Sequence, residues 1–194
     1  MDIIQAFMER YKPLYNFYIG SLWQGDPIPL DLVCKRPYPE TNSIAWNVWH
    51  LTRVEDAGLN LFVTEGTQVL EDGWMERMNI PWRHMGSGMS FAEVDELNQR
   101  INIDALHGYS DAVHARTLAI LERIDPASLD SVMEAERLRT IIIGQGLAHS
   151  NPDGLIGNYT GWSKAKCLYN FALTHPFLHI GEIDVIAGLL GVKF

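Results

Sequence analysis

The sequence predicts an all-α fold, an antiparallel four-helix bundle with long connections. Three observations carry that expectation. Four long segments repeat apolar residues at spacings of three and four, and the connections between them are long and rich in proline, glycine and polar residues. No stretch shows the sustained alternation of a half-buried strand.

The first segment covers residues 2 to about 22, where Ile3, Ile4, Phe7, Met8, Tyr11, Leu14, Tyr15 and Tyr18 form an apolar stripe. Pro13 lies inside it and predicts a kink or a local readjustment. Residues 25–41 hold Gly25, Pro27, Pro29, Pro37 and Pro39, an irregular connection. A second helix is expected from Asn42 or Ser43, both good N-caps, through Ile44, Val48, Leu51 and Val54 to about Glu65. Gly58 is its weak point. Residues 66–89 read as loop with a short helix around 74–78, closed by Gly86, Ser87 and Gly88. Ser90 and Glu93 then form a capping box, each able to satisfy the other's backbone amide. A long helix should follow from 91 to about 124, with a weak middle at Gly108 and a stop at Asp125-Pro126. Within residues 127–161, the stretch 139–147 fits a short helix or an extended piece, and 144–161 reads as loop. The last helix should begin near residues 161–163 and pass Leu190, kinked near Pro176. No repeat, linker or composition shift divides the chain, so residues 1–194 read as one domain.

Charge and composition exclude several functions. A formal charge of −9 argues against a phosphate-tracking nucleic-acid surface and against adhesion to anionic membranes. The first ten residues lack the basic-then-apolar pattern of a signal peptide. The most apolar stretch, near the C-terminus, is interrupted by His175, His179, Glu182 and Asp184 and should not span a bilayer. Two cysteines, Cys34 and Cys167, make no disulfide framework. A soluble cytoplasmic protein is the expectation.

The chemistry is expected in the last segment, His-Pro-Phe-Leu-His-Ile-Gly-Glu-Ile from His175. Residues four apart on a helix lie about 40° apart in azimuth and about 6 Å apart along the axis, so His175 and His179 can reach one metal ion. One histidine on an apolar face is more often a hydrogen-bonded core residue, and a lone pair spaced by four is a weak motif. His50 changes the weighing. It shares a face of the second helix with Asn47, Leu51 and Val54, and a buried imidazole without a partner costs about 1–3 kcal/mol. A cation shared with His175 and His179 would provide that partner.

The pairing of Asn47-Val48-Trp49-His50-Leu51 with the His175–Ile183 motif, and the Ser-Phe-Ala-Glu-Val opening at Ser90, resembles the DinB-like (YfiT-related) family of metal-dependent four-helix-bundle proteins. The resemblance implies a ligand triad of His50, His175 and His179. It implies a small-molecule substrate and either hydrolysis or transfer of a low-molecular-weight thiol, since relatives include bacillithiol S-transferases and a mycothiol-dependent maleylpyruvate isomerase. Two departures stand out. Ile180-Gly181-Glu182 replaces a frequent Arg-Gly-Gln, and Pro176 is expected to push His175 out of helical geometry and loosen it as a ligand.

Three histidines leave a coordination position open, where a divalent ion could lower the pKa of a bound water or hold a thiolate. Zinc is the first choice, with nickel, iron and manganese also suited to imidazole. Glu182, one turn beyond His179, is the candidate catalytic residue, as orienter of that histidine or as general base, against a plain surface acid. Asn47 divides between pocket lining and a helix hydrogen bond. Cys34, beside Lys35 and Arg36, reads as an inert thiol, and Cys167 is too far along the helix to ligate. Trp46, Trp49 and Trp82 read as core before pocket lining. His84, His107, His114 and His149 read as solvated or locally bonded. The alternative function is a non-catalytic, dimeric metal- or ligand-binding stress-response protein, and a homodimer is expected on either reading.

Overall fold

The four predicted apolar tracts are helical, three as rods and the third as two helices, in the computed structural model, which describes residues 3–23 and 28–192. Among the described residues there is no strand, only an isolated bridge between Val132 and Ser163. The architecture is the all-α bundle. Expectations for residue 2, Gly25 and Pro27, and for the Tyr18 side chain, fall outside the described residues.

Helix α1 (Ile3–Leu14) buries Ile4, Phe7, Tyr11 and Leu14 and absorbs Pro13 in its last turn. The chain then widens into a π-turn, Tyr15–Ile19, and tightens into a 3-10 turn, Gly20–Trp23. That is the readjustment expected where a proline removes an amide. A short α2 (Leu30–Val33) leads to α3 (Ile44–Ala57), whose N-cap Ser43 accepts from the Trp46 amide at 3.0 Å. Every residue of α3 is buried. It is the central rod, packed against both α6 (Ile103–Leu121) and α10 (His175–Leu190).

Gly58 does not break the second rod. It starts a π-turn, Gly58–Val63, and the space a Cβ would fill holds the Phe171 ring, 2.3 Å from that point. Phe171 sits in another π-turn, Asn170–Thr174, just before His175. Gly58→Ala is therefore expected to cost about 1–3 kcal/mol despite alanine's better helix propensity, because overpacking against an aromatic ring outweighs it. Urea unfolding measures this.

The helix predicted over 91–124 is two helices. After α4 (Trp74–Arg77), α5 (Phe91–Arg100) opens with the capping box in place, Ser90 and Glu93 each bonding the other's amide. It ends because Ile101 is extended (ψ 130°) and Asn102 caps afresh, accepting from the Ala105 amide at 3.0 Å. The Asn102 amide donates to the Met78 carbonyl at 3.1 Å, so the preceding loop fixes the break there and not at Gly108. Gly108 stays helical under the Trp74 ring. The 139–147 piece is helical only over 139–142, the end of α7 (Ala135–Ile142), and continues as turn. The expected 144–161 loop contains α8 (Pro152–Tyr159), begun by Asn151 at φ 50°, whose side chain accepts from Gly154. An Asn-Pro start is a capping signal that the local density of glycine obscured.

The last rod is α9 (Lys164–Tyr169), the π-turn Asn170–Thr174, and α10, which ends on left-handed Gly191. The expectation for Pro176 is corrected. His175 is helical (φ −66°, ψ −47°), and Pro176 sits in the first turn of α10, where the widened turn before it removes the demand for its amide.

On the α1 side of α3, fully buried Glu55 accepts hydrogen bonds from the Tyr11 hydroxyl and from Thr117 Oγ1 at 2.7 Å. Burial still pushes its carboxyl up to about 7. A carboxyl whose folded pKa lies above its unfolded value near 4.5 binds protons more tightly when folded. Stability is therefore lost as pH rises from about 4.5 to 7, by up to about 1.4 kcal/mol per pH unit. Glu55→Gln should flatten that limb relative to the wild type, as read from melting temperature against pH.

Candidate metal centre

His50 occupies the middle of α3 and is 4% exposed. Its ring lies flat on Trp46, one turn earlier, with centroids 4.6 Å apart. Its Nδ1 donates to the Met85 carbonyl. That contact needs the 85–88 loop to come unusually close. Gly86, at φ +95°, permits it, since a Cβ there would lie 2.6 Å from the Trp49 ring and 3.2 Å from His50 Nδ1.

His175 and His179 rise from the first two turns of α10 onto the face turned to α3. The three ring centroids form a near-equilateral triangle: 4.9 Å from His50 to His175, 4.7 Å from His50 to His179, and 4.5 Å between the last two. One nitrogen from each ring lies within 4.8 Å of the others, so the three histidines could hold a metal ion. His175 Nε2 and His179 Nε2 are 3.2 Å apart. Two nitrogens on one tetrahedral ion at about 2.0–2.1 Å are about 3.3 Å apart, so the spacing suits the chemistry.

The outer hydrogen bonds set the tautomers. His50 Nδ1 faces a carbonyl; His179 Nδ1 faces Asn47 Oδ1 at 2.8 Å and Glu182 Oε2 at 3.1 Å. All three partners are acceptors, so each Nδ1 carries the proton and each Nε2 a lone pair. His175 has a buried Nδ1 with no partner. Burial is the main cause of the depressed basicity of all three: His50 falls to about 4, His175 to about 3 and His179 also falls, the first also lowered by His179 and the second by His50 and His179. Three neutral imidazoles with converging nitrogens are a donor set for a divalent cation.

Asn47, read from sequence as either pocket lining or helix hydrogen bonding, does both. Its amide nitrogen donates to the Ser43 carbonyl at 3.0 Å, which turns its oxygen to His179. Glu182 lies on the Nδ1 side of His179, half-exposed, away from the nitrogen that faces the other rings. That places it to orient His179. Burial raises the Cys34 thiol and pushes Cys167 up to about 11, so neither cysteine is a ready thiolate. Trp49 is core, while Trp46 backs His50.

The four remaining histidines are all locally bonded. His84 Nδ1 accepts from the Gly86 amide, His149 bonds Glu93 at 2.7 Å, His114 stacks on Tyr15, and His107 stacks on Trp23 and meets Asp111. No sequence signal points to Met85, because a backbone carbonyl contributes no side chain to any motif.

Arg53, one turn beyond His50, was also missed. It is wholly buried, and its Nη2 donates to the Arg83 carbonyl at 2.7 Å, two residues before Met85. It pins the loop that orients His50.

The family model of the DinB superfamily matches residues 26–183. The fold is similar to the crystal structure of a conserved protein from Enterococcus faecalis, with a TM-score of 0.69 and 16% sequence identity over 98% of this chain and 99% of that one. No curated protein matches. With the family's model spanning most of the sequence, this chain belongs to the DinB superfamily.

Proposed function

We propose that the chain is a metal-dependent enzyme acting on a small molecule, of the hydrolase or low-molecular-weight-thiol S-transferase type. The observation that carries this reading is the three-nitrogen donor set of His50, His175 and His179. Among the described residues no fourth histidine, cysteine or carboxylate joins it. A structural zinc site takes four protein ligands, whereas three leave a place for a reactant. His175 and His179 are partly exposed, which supports approach by a small molecule. A divalent cation held there would supply Lewis acidity toward an oxygen or sulfur ligand, with zinc the first choice. The protein's part is to keep the three imidazoles neutral by burial and to aim His50 through Met85 and His179 through Asn47 and Glu182.

Elemental analysis of the purified chain should find about one divalent ion per chain. The loaded protein is then offered a panel of thiols with electrophiles and a parallel panel of esters and amides. Turnover in either panel that disappears on chelation supports the enzyme. Stoichiometric metal with both panels silent would favour a non-catalytic binding protein.

A homodimer belongs to the same proposal. Leu178, Val185 and Leu189 lie on one face of α10 and are at least half exposed. Light scattering should give twice the chain mass, and Val185→Glu should halve it.

A further inference from the structure

A groove lies well away from the His50, His175 and His179 triad. It is about 670 Å³ and lies between the end of the second rod (Val63, Thr64), the C-terminal half of α6 (Arg116, Ile120), the turn that follows it (Arg123, Ile124) and Lys164 at the start of α9. Thr64 follows His50 by 14 residues and Lys164 precedes His175 by 11, which puts the groove about 16–20 Å along the rods from the triad. Its lining holds three cations and no carboxylate, on a chain whose formal charge is −9.

Those cations are not spent on one another's partners. Among the described residues, the exposed Arg123 side chain has no hydrogen-bond or ion-pair partner. Arg116 reaches only Asn60 Oδ1 and the Thr67 carbonyl, each at a long 3.4 Å. Lys164 pairs with Glu65 at 2.9 Å, but Arg137 shares that carboxylate at 3.1 Å, so the cluster keeps a net positive charge. Asp125, two residues beyond Arg123, is turned to cap the Ala127 amide. Below the cations the floor is apolar, made by Val63, Ala119, Ile120 and Ile124.

We propose that this groove binds a small amphiphilic anion, with a carboxylate or phosphate head against Arg116, Arg123 and Lys164 and an apolar body on the floor. Guanidinium groups suit planar oxyanions, and a concave apolar site rimmed by a few polar groups is how proteins hold such molecules.

Isothermal titration of the purified chain with octanoate, octyl phosphate and octyltrimethylammonium tests it. One or both anions should bind saturably at one per chain, and which of them binds identifies the head group. Binding should weaken about tenfold in Arg123→Glu and in Arg116→Glu, and with added salt. His50→Ala should leave it unchanged. The proposal is overturned if neither anion saturates, if the ammonium binds as tightly, if both arginine variants bind like wild type, or if His50→Ala abolishes binding. Arg123 is exposed, so its variant should fold. Because the metal triad is not involved, failure here leaves the enzymatic reading standing, and the reverse also holds.

Discussion

His50→Ala and His179→Ala should each reduce bound metal from about one ion per chain to near zero, with affinity falling by more than about 100-fold. The size follows from the donor count. A site with three protein ligands has none to spare, and loss of an outer hydrogen-bond partner alone costs about 10–100-fold. Asn47→Leu supplies the comparison. It keeps all three imidazoles but removes the acceptor 2.8 Å from His179 Nδ1, and should cost about tenfold. Inductively coupled plasma analysis and a chelator competition read both effects. The pH profile gives a further check. Burial lowers His50 to about 4, so protons compete for it only well below the usual histidine value of about 6.5. Metal should therefore persist at pH 5–6 and be lost as pH falls towards 4. A wild-type chain that purifies without metal and takes up none would defeat the proposed centre.

Much of this was legible because it depends on short-range rules. The Ser90–Glu93 capping box, the Ser43 cap and the face shared by His175 and His179 are consequences of helical geometry, and each stands where the spacing placed it. The misreadings arose where tertiary contacts override local preference. Gly58 reads as a helix breaker, yet it is the one residue that leaves room for Phe171. Gly108 reads as the weak middle of a helix that in fact breaks at Ile101, where the Met78 carbonyl takes the Asn102 amide. Pro176 reads as a distortion of the second ligand because no periodicity announces the π-turn that precedes it. The same limit applies to the centre itself. The histidines carry a motif, but the Met85 carbonyl and the approach of Gly86 that fix His50 do not.

Asp56→Ala should be the most damaging single change to stability, at about 3–5 kcal/mol. Asp56 and Arg53 are both fully buried and 3.2 Å apart. The carboxylate also accepts from the Val69 amide at 2.8 Å, the Leu70 amide at 3.0 Å, Asn60 at 2.8 Å and the Tyr109 hydroxyl at 2.6 Å. Truncation therefore strands a buried guanidinium and two backbone amides at once. Replacing the pair with apolar residues is no remedy here, because the Val69 and Leu70 amides would remain unpaired. Arg53→Met should be milder, since the carboxylate keeps four donors. It should nonetheless weaken metal binding about tenfold, because Arg53 Nη2 holds the Arg83 carbonyl and with it the loop whose Met85 carbonyl aims His50. Urea unfolding and chelator competition on the two variants separate these effects. If Arg53→Met loses stability in step with Asp56→Ala and keeps wild-type metal affinity, the loop is not the link between the buried ion pair and the histidines.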